Sequence, residues 1–423
     1  VGPAPLPPSE AMRRILYALD PMLQLPEDTD ELGALYPALL HDKQILLLLD
    51  DAAGGQQVAP LLPTGGCAAL ITSRQPLDLA ADCKLELPTL PPEDARSLLD
   101  NLVPRLAGQT AQLARSCGYM PSVLRLAGGA LAKQADLTPE HYLDRLRDAQ
   151  TRLPLIDAAL SVNCGMLREQ ERWQWLALAL SAGSLTQAAA AAAWQTEPDV
   201  TQRTLGEFFG YGLVEQGVRL PRPAYRARYR LSETVRSYAD ERLEENQPAC
   251  APPARVQQRL AAHYLTVLQR VEMLCCQDES LGDQGRPDRE HAEAGRQQEL
   301  HVVYGLRLLD LDWDNIQAGQ QWAAADLDQN RLAAQLCSAY AQAGVHCRAR
   351  RQSVAARIQW LQDALRAARR LQKPETEGRH LARLADATLN QGEPTRALTY
   401  YRQALGIARR LGDDKAEEEH TGN

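Results

Sequence analysis

Ile45-Leu46-Leu47-Leu48-Leu49-Asp50-Asp51 is the stretch that decides the fold of this 423-residue chain. A short apolar run, followed by the turn-forming pair Gly54-Gly55, predicts a strand buried on both faces inside a parallel sheet. The two carboxylates come at its carboxyl end, where open α/β sheets bind their ligands. The alternative is a core strand that ends in a solvated Asp-Asp turn, and the heptapeptide alone does not separate the two interpretations.

A second apolar segment, Ala68-Ala69-Leu70-Ile71, predicts another strand that ends in Thr72-Ser73-Arg74. Two successive strands with polar tips favour a nucleotide site. Asp50 and Asp51 suit a hydrated Mg²⁺ and an attacking water, in the form of a Walker B motif. Arg74 is placed to contact a γ-phosphate. The alternative for Arg74 is an ordinary surface salt bridge.

Composition describes a helix-rich globular chain. Apolar residues make up 45%, charged residues 24% and aromatic residues only 5%, which favours stacked helices over a sandwich or barrel. The net charge of −8 argues against general binding to nucleic-acid phosphates. The nine cysteines show no C-x-x-C spacing, which favours reduced thiols in a cytoplasmic protein over a metal cage. No apolar run is long enough to span a bilayer.

The beginning of the chain is rich in proline and carries no signal-peptide pattern. Since it also starts without Met, we expect the chain to be part of a longer protein.

The strand tips and two later motifs resemble the NB-ARC module of STAND signalling ATPases, the relatives of the apoptosome and plant disease-resistance ATPases. The later motifs are Cys117-Gly118-Tyr119-Met120-Pro121 and Leu124-Arg125-Leu126-Ala127-Gly128. Residues 5–40 are also similar to the segment that precedes Walker B in bacterial members.

The resemblance implies a function for each matching residue. Asp50 and Asp51 would be the catalytic acids that hold Mg²⁺ and position water, with Asp50 as the metal ligand. Thr72 and Arg74 would bind the nucleotide, with Arg74 at the γ-phosphate, and Pro121 would pack on the adenine. Pro121 alone is kept from the family's G-L-P-L motif, which reads Tyr119-Met120-Pro121-Ser122 here.

The segment Leu231-Ser232-Glu233 takes the place of the family's M-H-D motif. By this resemblance Ser232 would contact the β-phosphate of ADP. A serine donates one hydrogen bond but carries no positive charge, so we expect a weaker ADP-locked state or other groups that hold it.

A phosphate-binding loop of the form G-x-x-x-x-G-K-[S/T] does not occur in the chain. Such a loop supplies the backbone N–H groups and the lysine that hold phosphates. In the family it precedes the segment starting at Val1, and its strand lies between the Thr-Ser-Arg strand and the strand after it. We therefore predict that residues 45–49 pair with residues 68–71, and that a short third strand at residues 85–87 is orphaned or shifted.

Helices followed by strands at residues 212–215 and 229–231 predict a winged helix. Arginines cluster in its wing: Arg219, Arg222, Arg226, Arg228 and Arg230. Such a cluster is typical of DNA-binding wings, but the acidic net charge and the family resemblance argue against DNA contact. The alternative is a solvated wing.

The C-terminal part contains an internal repeat, since residues 357–371 align with residues 397–411 at an offset of forty. A self-similar helical unit at this period predicts a solenoid, and its alanine positions resemble tetratricopeptide repeats. Between wing and repeats, the pattern predicts a polar loop over residues 278–295 and a helix that begins at Leu311.

The predicted fold class is α/β plus all-α. The predicted domains are a partial P-loop-type parallel sheet (1–92), a helical lid (93–150), a winged helix (151–246), a helical linker (247–345) and a tetratricopeptide-like α-solenoid (346–423).

We expect part of an ADP/ATP-switched signalling ATPase that uses Mg²⁺, binds a protein partner through its repeats and forms a homo-oligomer on activation. Without the phosphate loop we expect this chain itself to be inactive. Two alternatives stay open: a transcriptional regulator with an upstream DNA-binding domain, and a nucleotide-independent repeat scaffold.

Overall fold

The computed structural model describes residues 5–80, 83–106, 108–217, 227–245, 252–276 and 289–412. The chain forms two compact units. The first unit consists of Val1–Ala81 with Ala261–Asn423, and the second of Asp82–Leu260. None of the described helices is long and apolar enough to cross a membrane.

The elements follow one another in chain order. The first unit begins with α1 (Pro8–Leu19), α2 (Thr29–Leu40), β1 (Leu46–Leu49), α3 (Gly55–Val58), a 3-10 turn (Ala59–Leu61) and β2 (Ala68–Ile71). The second unit contains α4 (Pro92–Leu102), α5 (Ala111–Ser116), α6 (Pro121–Lys133), α7 (Pro139–Gln150), α8 (Leu155–Gly165), α9 (Glu169–Ala177), β3 (Leu185–Thr186), α10 (Gln187–Trp194), α11 (Pro198–Gly210), β4 (Glu215–Gln216), β5 (Arg228–Arg230) and α12 (Glu233–Glu245), with 3-10 turns at Pro104–Leu106 and Leu178–Leu180.

The helix α13 (Pro253–Cys276) contributes its residues from Ala261 onward to the first unit. The C-terminal helices of that unit are α14 (Arg289–Asp326), α15 (Arg331–Gln342), α16 (Val345–Ala349), α17 (Val354–Arg370), α18 (Pro374–Asn390) and α19 (Pro394–Leu411). The predicted fold class is confirmed: a small parallel sheet, many helices and a solenoid-like arrangement of the C-terminal helices. The five-part domain division stays a prediction.

The strands β1 and β2 form the parallel pair that the sequence predicts, with Leu47 opposite Ala69 and Leu49 opposite Ile71. Residues 85–87 form no strand in the described part of the chain, and their two leucines are exposed. The prediction of a short third strand at these residues is therefore wrong, and its orphaned or shifted position stays untested.

One face of this sheet is open, so the prediction of a strand buried on both faces is wrong. Leu47 is 7% exposed and packs with Leu32 and Tyr36, whereas Leu46 and Leu48 are 67% and 63% exposed. The helices α1 and α2 cover the Leu47 face, while in the described residues the other face lies open to solvent. An apolar run permits burial on two faces, but a second covering layer is needed to produce it.

The core of the second unit is organised around one buried amide. The Asn163 side chain donates to the carbonyls of Leu126 and Tyr211, at 2.8 and 2.9 Å, and its oxygen accepts from the Tyr142 hydroxyl at 3.2 Å. These bonds join α6, α7, α8 and the end of α11. A buried amide with these partners fixes the relative positions of the helices, because breaking any bond leaves an unsatisfied polar group.

The strands β4 and β5 overlap in sequence with the two predicted wing strands. A third strand, β3, joins them in a sheet with the order β3-β5-β4. Arg228 donates to the Ser184 hydroxyl and carbonyl, both at 2.8 Å, and Arg230 donates to Glu215 at 2.8 Å. Arg219, Arg222 and Arg226 lie outside the described residues. The winged-helix assignment stays a prediction, but the two described arginines are engaged within the protein.

The C-terminal helices repeat their turns every twenty residues. Gln372, Gly392 and Gly412 each have a positive φ, at 56°, 84° and 67°. At the first two turns the next residue's N–H reaches back to the carbonyl five residues earlier, at 3.1 and 3.0 Å, which is the Schellman arrangement. Proline then starts the next helix in both cases. The repeat predicted from sequence is thus built from identical turns.

Small residues allow the repeat helices to pack closely. The alanines that the two repeat copies share are buried: Ala364, Ala368, Ala404 and Ala408. Leu381 and Leu384 of α18 fill the space between α17 and α19. Burial of this kind, rather than helix propensity, supplies most of the stability of such an array.

The sequence misplaces the start of α14. The predicted loop over residues 278–295 lies partly outside the described residues, but from Arg289 the chain is already helical, so the predicted start at Leu311 is wrong. Residues 289–300 are mostly strong helix formers, and the one glycine among them, Gly295, costs only about 1 kcal/mol in a helix.

Candidate functional site

The predicted strand tips do meet at one edge of the sheet. We call Asp50, Asp51, Thr72 and Arg74 the carboxylate edge. Backbone bonds set its register: the Thr72 N–H donates to the Leu49 carbonyl at 3.0 Å, and the Ala52 N–H donates to the Thr72 carbonyl at 2.8 Å. The parallel pairing therefore continues past the end of β1 and aligns the polar residues of both strands.

The Thr72 hydroxyl joins the two acids. It donates to Asp50 Oδ1 at 2.6 Å and accepts from the backbone N–H of Asp51 at 2.9 Å. Asp51 itself has a left-handed backbone, with φ at 56°, which turns the chain sharply just after the strand. A carboxylate held by a hydroxyl has a fixed direction, so Asp50 is oriented by its neighbouring strand.

Arg74 forms a fork-shaped ion pair with the second acid. Its Nε and Nη2 donate to the two carboxylate oxygens of Asp51 at 3.0 and 3.3 Å. The Arg74 side chain is 74% exposed and that of Asp51 36% exposed. Because exposed ion pairs contribute little to stability, this pair can open when a stronger anion approaches the guanidinium.

The chemistry of the edge fits half of a Mg²⁺–nucleotide site. Carboxylate oxygens such as those of Asp50 are the ligands that Mg²⁺ prefers, and a guanidinium recognises phosphate with two parallel bonds. The chain does not contain the loop motif that would hold the other phosphates. The structure thus brings together the four site residues of the first unit.

The remaining predicted site residues, Pro121 and Ser232, belong to the second unit. Pro121 is exposed at the first position of α6. Ser232 is half-buried just before α12, and its carbonyl accepts the Arg236 N–H at 2.8 Å. Contact of either residue with a nucleotide stays a prediction.

A second cluster ties the N-terminal helices to the start of the repeats, and we call it the arginine contacts. Arg351, 4% exposed, donates to Asp310 at 2.6 Å and to the Pro21 carbonyl at 3.1 Å. Its guanidinium also lies 3.8 Å from the ring centre of Tyr17. Removing a guanidinium that is paired, stacked and buried in this way costs more than removing an exposed one, because its partners lose their contacts.

Two further bonds belong to the arginine contacts. Arg14 pairs with Asp314 at 2.7 Å, and both oxygens of Glu27 accept from the Val354 N–H, at 3.0 and 3.1 Å. The Glu27 carboxylate therefore lies at the N-terminal end of α17, where the helix dipole favours an anion. These bonds border a cavity of about 670 Å³.

Sequence reasoning missed the arginine contacts. Arg14 and Asp314 are 300 residues apart, and arginine is common throughout the chain, so no local spacing points to the pair. The nearest signal was the similarity of residues 5–40 to a family segment, which says nothing about their partners.

Comparisons with known proteins give regulatory proteins as relatives. The chain is 32% identical over 246 residues to the regulatory protein AfsR of Streptomyces griseus, covering 55% of this chain and 24% of that protein. It is 30% identical over 283 residues to AfsR of Streptomyces coelicolor, covering 62% of this chain and 28% of that protein. The chain thus spans about a quarter of the curated relatives it matches.

No family model matches the chain. A solved STAND protein with a tetratricopeptide-repeat sensor, from Pyrococcus horikoshii, superposes on 97% of this chain and 67% of its own, with 16% identity and a TM-score of 0.42, too distant to support an argument. The chain thus combines a carboxylate edge and helical repeats with similarity, over part of its length, to regulatory proteins.

Proposed function

We propose that the chain is part of an ADP/ATP-switched signal-transduction ATPase whose repeats bind a protein partner. The carboxylate edge carries this proposal. It presents an oriented acid, Asp50, beside an exposed guanidinium, Arg74, at the carboxyl ends of two parallel strands. That is where nucleotides bind in this class of sheet.

Each residue of the edge has a distinct function in this proposal. Asp50 holds Mg²⁺, while Asp51 positions the attacking water once Arg74 has left it. Thr72 keeps Asp50 in place through its hydroxyl. Arg74 exchanges its bond with Asp51 for one with the γ-phosphate, and so distinguishes ATP from ADP.

The arginine contacts supply a path from the repeats to the edge. Arg351 lies just before the first repeat helix and holds Tyr17 of α1, whose neighbouring residues pack under β1. A partner that bends or straightens the repeats would strain this contact. Coupling of this kind requires that one arrangement be favoured when the partner is bound.

The experiment compares nucleotide binding by two proteins: the 423-residue chain and a longer protein in which a phosphate-loop segment is joined to its N-terminus. Labelled ADP with Mg²⁺ is titrated into each. We expect sub-micromolar binding by the longer protein only, and a loss of at least tenfold in Asp50→Asn. Tight binding by the 423-residue chain would show that the loop is not needed. Failure of both proteins to bind would leave the repeat-scaffold alternative.

A transcriptional regulator with an upstream DNA-binding domain is the second candidate, favoured by the regulatory relatives. In that case DNA would be contacted outside this chain, because Arg228 and Arg230 are engaged with Ser184 and Glu215. A gel-shift titration of the 423-residue chain with duplex DNA tests this. We expect no retention at physiological salt, and salt-sensitive retention would assign DNA contact to the chain itself.

A further inference from the structure

Three ligand-type side chains meet at the end of α13, away from the carboxylate edge. Glu272 and Cys276 lie one helical turn apart on α13, so they project from the same face. His346 is the second residue of α16, the short helix that precedes the repeats. The carboxylate oxygen, thiol sulfur and imidazole nitrogen all lie within 4.8 Å of one another.

The individual separations are short. His346 Nδ1 lies 2.8 Å from Glu272 Oε1 and 3.3 Å from Cys276 Sγ. Around a tetrahedral zinc ion, with bonds of about 2.0 to 2.3 Å, neighbouring ligand atoms are separated by about 3.4 to 3.6 Å. Both separations are shorter than this and the third lies within 4.8 Å, so side-chain rotation is needed to place the three atoms around one ion.

We propose that Glu272, Cys276 and His346 bind a zinc ion. The donor set selects this metal: thiolate and imidazole favour zinc, whereas Mg²⁺ and Ca²⁺ take oxygen ligands. Cys276 and His346 are exposed, so the fourth position faces solvent and is filled by water.

The Glu272 carboxylate is already prepared as a ligand. It accepts from the backbone N–H groups of His346 and Cys347, at 3.0 and 3.2 Å. The same bonds start α16, so a helix cap with an ordinary His–Glu pair is the competing explanation. The Cys276 sulfur, 3.3 Å from His346 Nδ1, is the contact that a helix cap alone does not require.

The site joins α13 and α16, whose cysteines are free, so no disulfide links the two helices in the described residues. One ion would fasten the end of α13 to the first turn of α16, just before Arg351. His346 and Arg351 also line the same 670 Å³ cavity. Bound zinc would therefore hold α13 and α16 in a fixed position next to the arginine contacts, and removal of zinc would allow the two helices to move apart.

Zinc binding is measured on the 423-residue chain after metal removal, in a non-thiol reductant, by competition with a chromophoric chelator. We expect one zinc ion per chain, a higher melting temperature with zinc, and affinity at least tenfold lower in Cys276→Ser and in His346→Asn. Cys83→Ser is the matched control, since Cys83 is also exposed and should leave binding unchanged.

Cobalt titration provides a second readout that does not depend on stability. A thiolate-to-cobalt absorption band should appear in the wild type and in Cys83→Ser, and be absent in Cys276→Ser. No stoichiometric zinc binding by the wild type, or equal binding by Cys276→Ser, would overturn the site. A lower melting temperature of metal-free His346→Asn, together with no zinc binding by the wild type, would establish the helix-cap explanation instead.

Discussion

The two-stranded sheet and the C-terminal repeats are built from similar apolar residues but bury them differently. In β1, two of four consecutive leucines face solvent. In the repeats, Leu384 is 1% exposed, and the alanines around it are almost completely buried. The difference lies in the number of covering layers: α18 packs between two helices, whereas in the described residues the sheet has helices on one face.

This comparison shows that an apolar run predicts a strand without predicting its environment. A periodic helix carries its own evidence of which face is buried, because polar residues mark the exposed side. Four leucines in a row carry no such mark.

The largest expected effect tests the comparison directly. Leu384→Ala should lower the free energy of unfolding by about 2 to 5 kcal/mol, because it leaves a cavity among packed helices. Leu48→Ala, the same change on the open sheet face, should cost less than about 0.5 kcal/mol. Urea unfolding of both variants measures this. Equal losses would mean that the open face is covered in the folded protein.

The contact that joins the two regions should be the next most sensitive. Arg351→Ala should cost about 2 to 3 kcal/mol, because it strands Asp310 and removes the stack on Tyr17. Arg350→Ala, at the neighbouring half-buried position, is the control and should cost less than about 1 kcal/mol. The hydrogen-exchange rate of the backbone amides of α1 should rise in Arg351→Ala but not in Arg350→Ala. An unchanged exchange rate in α1 would show that Arg351 does not couple the repeats to the helices that cover the sheet.

Acid should weaken the repeats through one histidine. Burial, with help from Arg383 and Arg379, lowers the pKa of His380 to about 4. The unfolded state then binds the proton more readily, so stability is complete above about pH 6.5 and falls as the pH drops. From about pH 7 to about pH 5 we expect a loss of up to about 2 kcal/mol.

His380→Gln provides the control for this pH effect. The amide keeps a polar partner for Ser338, whose hydroxyl lies 2.9 Å from His380 Nε2, but does not titrate. The slope of unfolding free energy against pH should flatten in this variant. A slope equal to that of the wild type would assign the acid sensitivity to other groups.

The smallest expected effect concerns the repeated turns. Gln372 occupies the left-handed position that is glycine in the next two turns, so Gln372→Gly should stabilise the protein by about 0.5 to 1 kcal/mol. Gln391→Gly, one residue before Gly392 at an ordinary helical position, should instead destabilise it. Thermal unfolding distinguishes the two signs, and the same sign for both would contradict the turn argument.

Much of this architecture follows from the sequence, for identifiable reasons. The forty-residue repeat predicts α17 and α19, because the same residues recur at the same helical positions in both copies. The pairing of β1 with β2 follows from the family resemblance, whereas the third strand expected at residues 85–87 does not form. In the carboxylate edge, the meeting of Asp50 with Thr72 follows from parallel strands whose carboxyl ends share an edge.

The remainder depends on partners far apart in sequence. The open sheet face, the Arg74–Asp51 fork and the contact of Arg351 with Tyr17 each depend on which elements lie nearby. The Glu272–Cys276–His346 cluster combines residues from two helices, so no motif with repeated spacing marks it. The start of α14 was missed because Gly295 suggests a loop, although one glycine does not stop a helix.

The most direct test of the nucleotide-switch proposal compares ATP and ADP affinity in the chain joined to a phosphate-loop segment and in the Arg74→Ala variant of the same protein. If Arg74 contacts the γ-phosphate, ATP affinity should fall about tenfold, equivalent to about 1.4 kcal/mol, while ADP affinity changes less than about twofold. The exposed ion pair with Asp51 contributes little to stability, so the variant should stay folded. Equal changes for both nucleotides, or no change for either, would contradict the proposed function of the carboxylate edge.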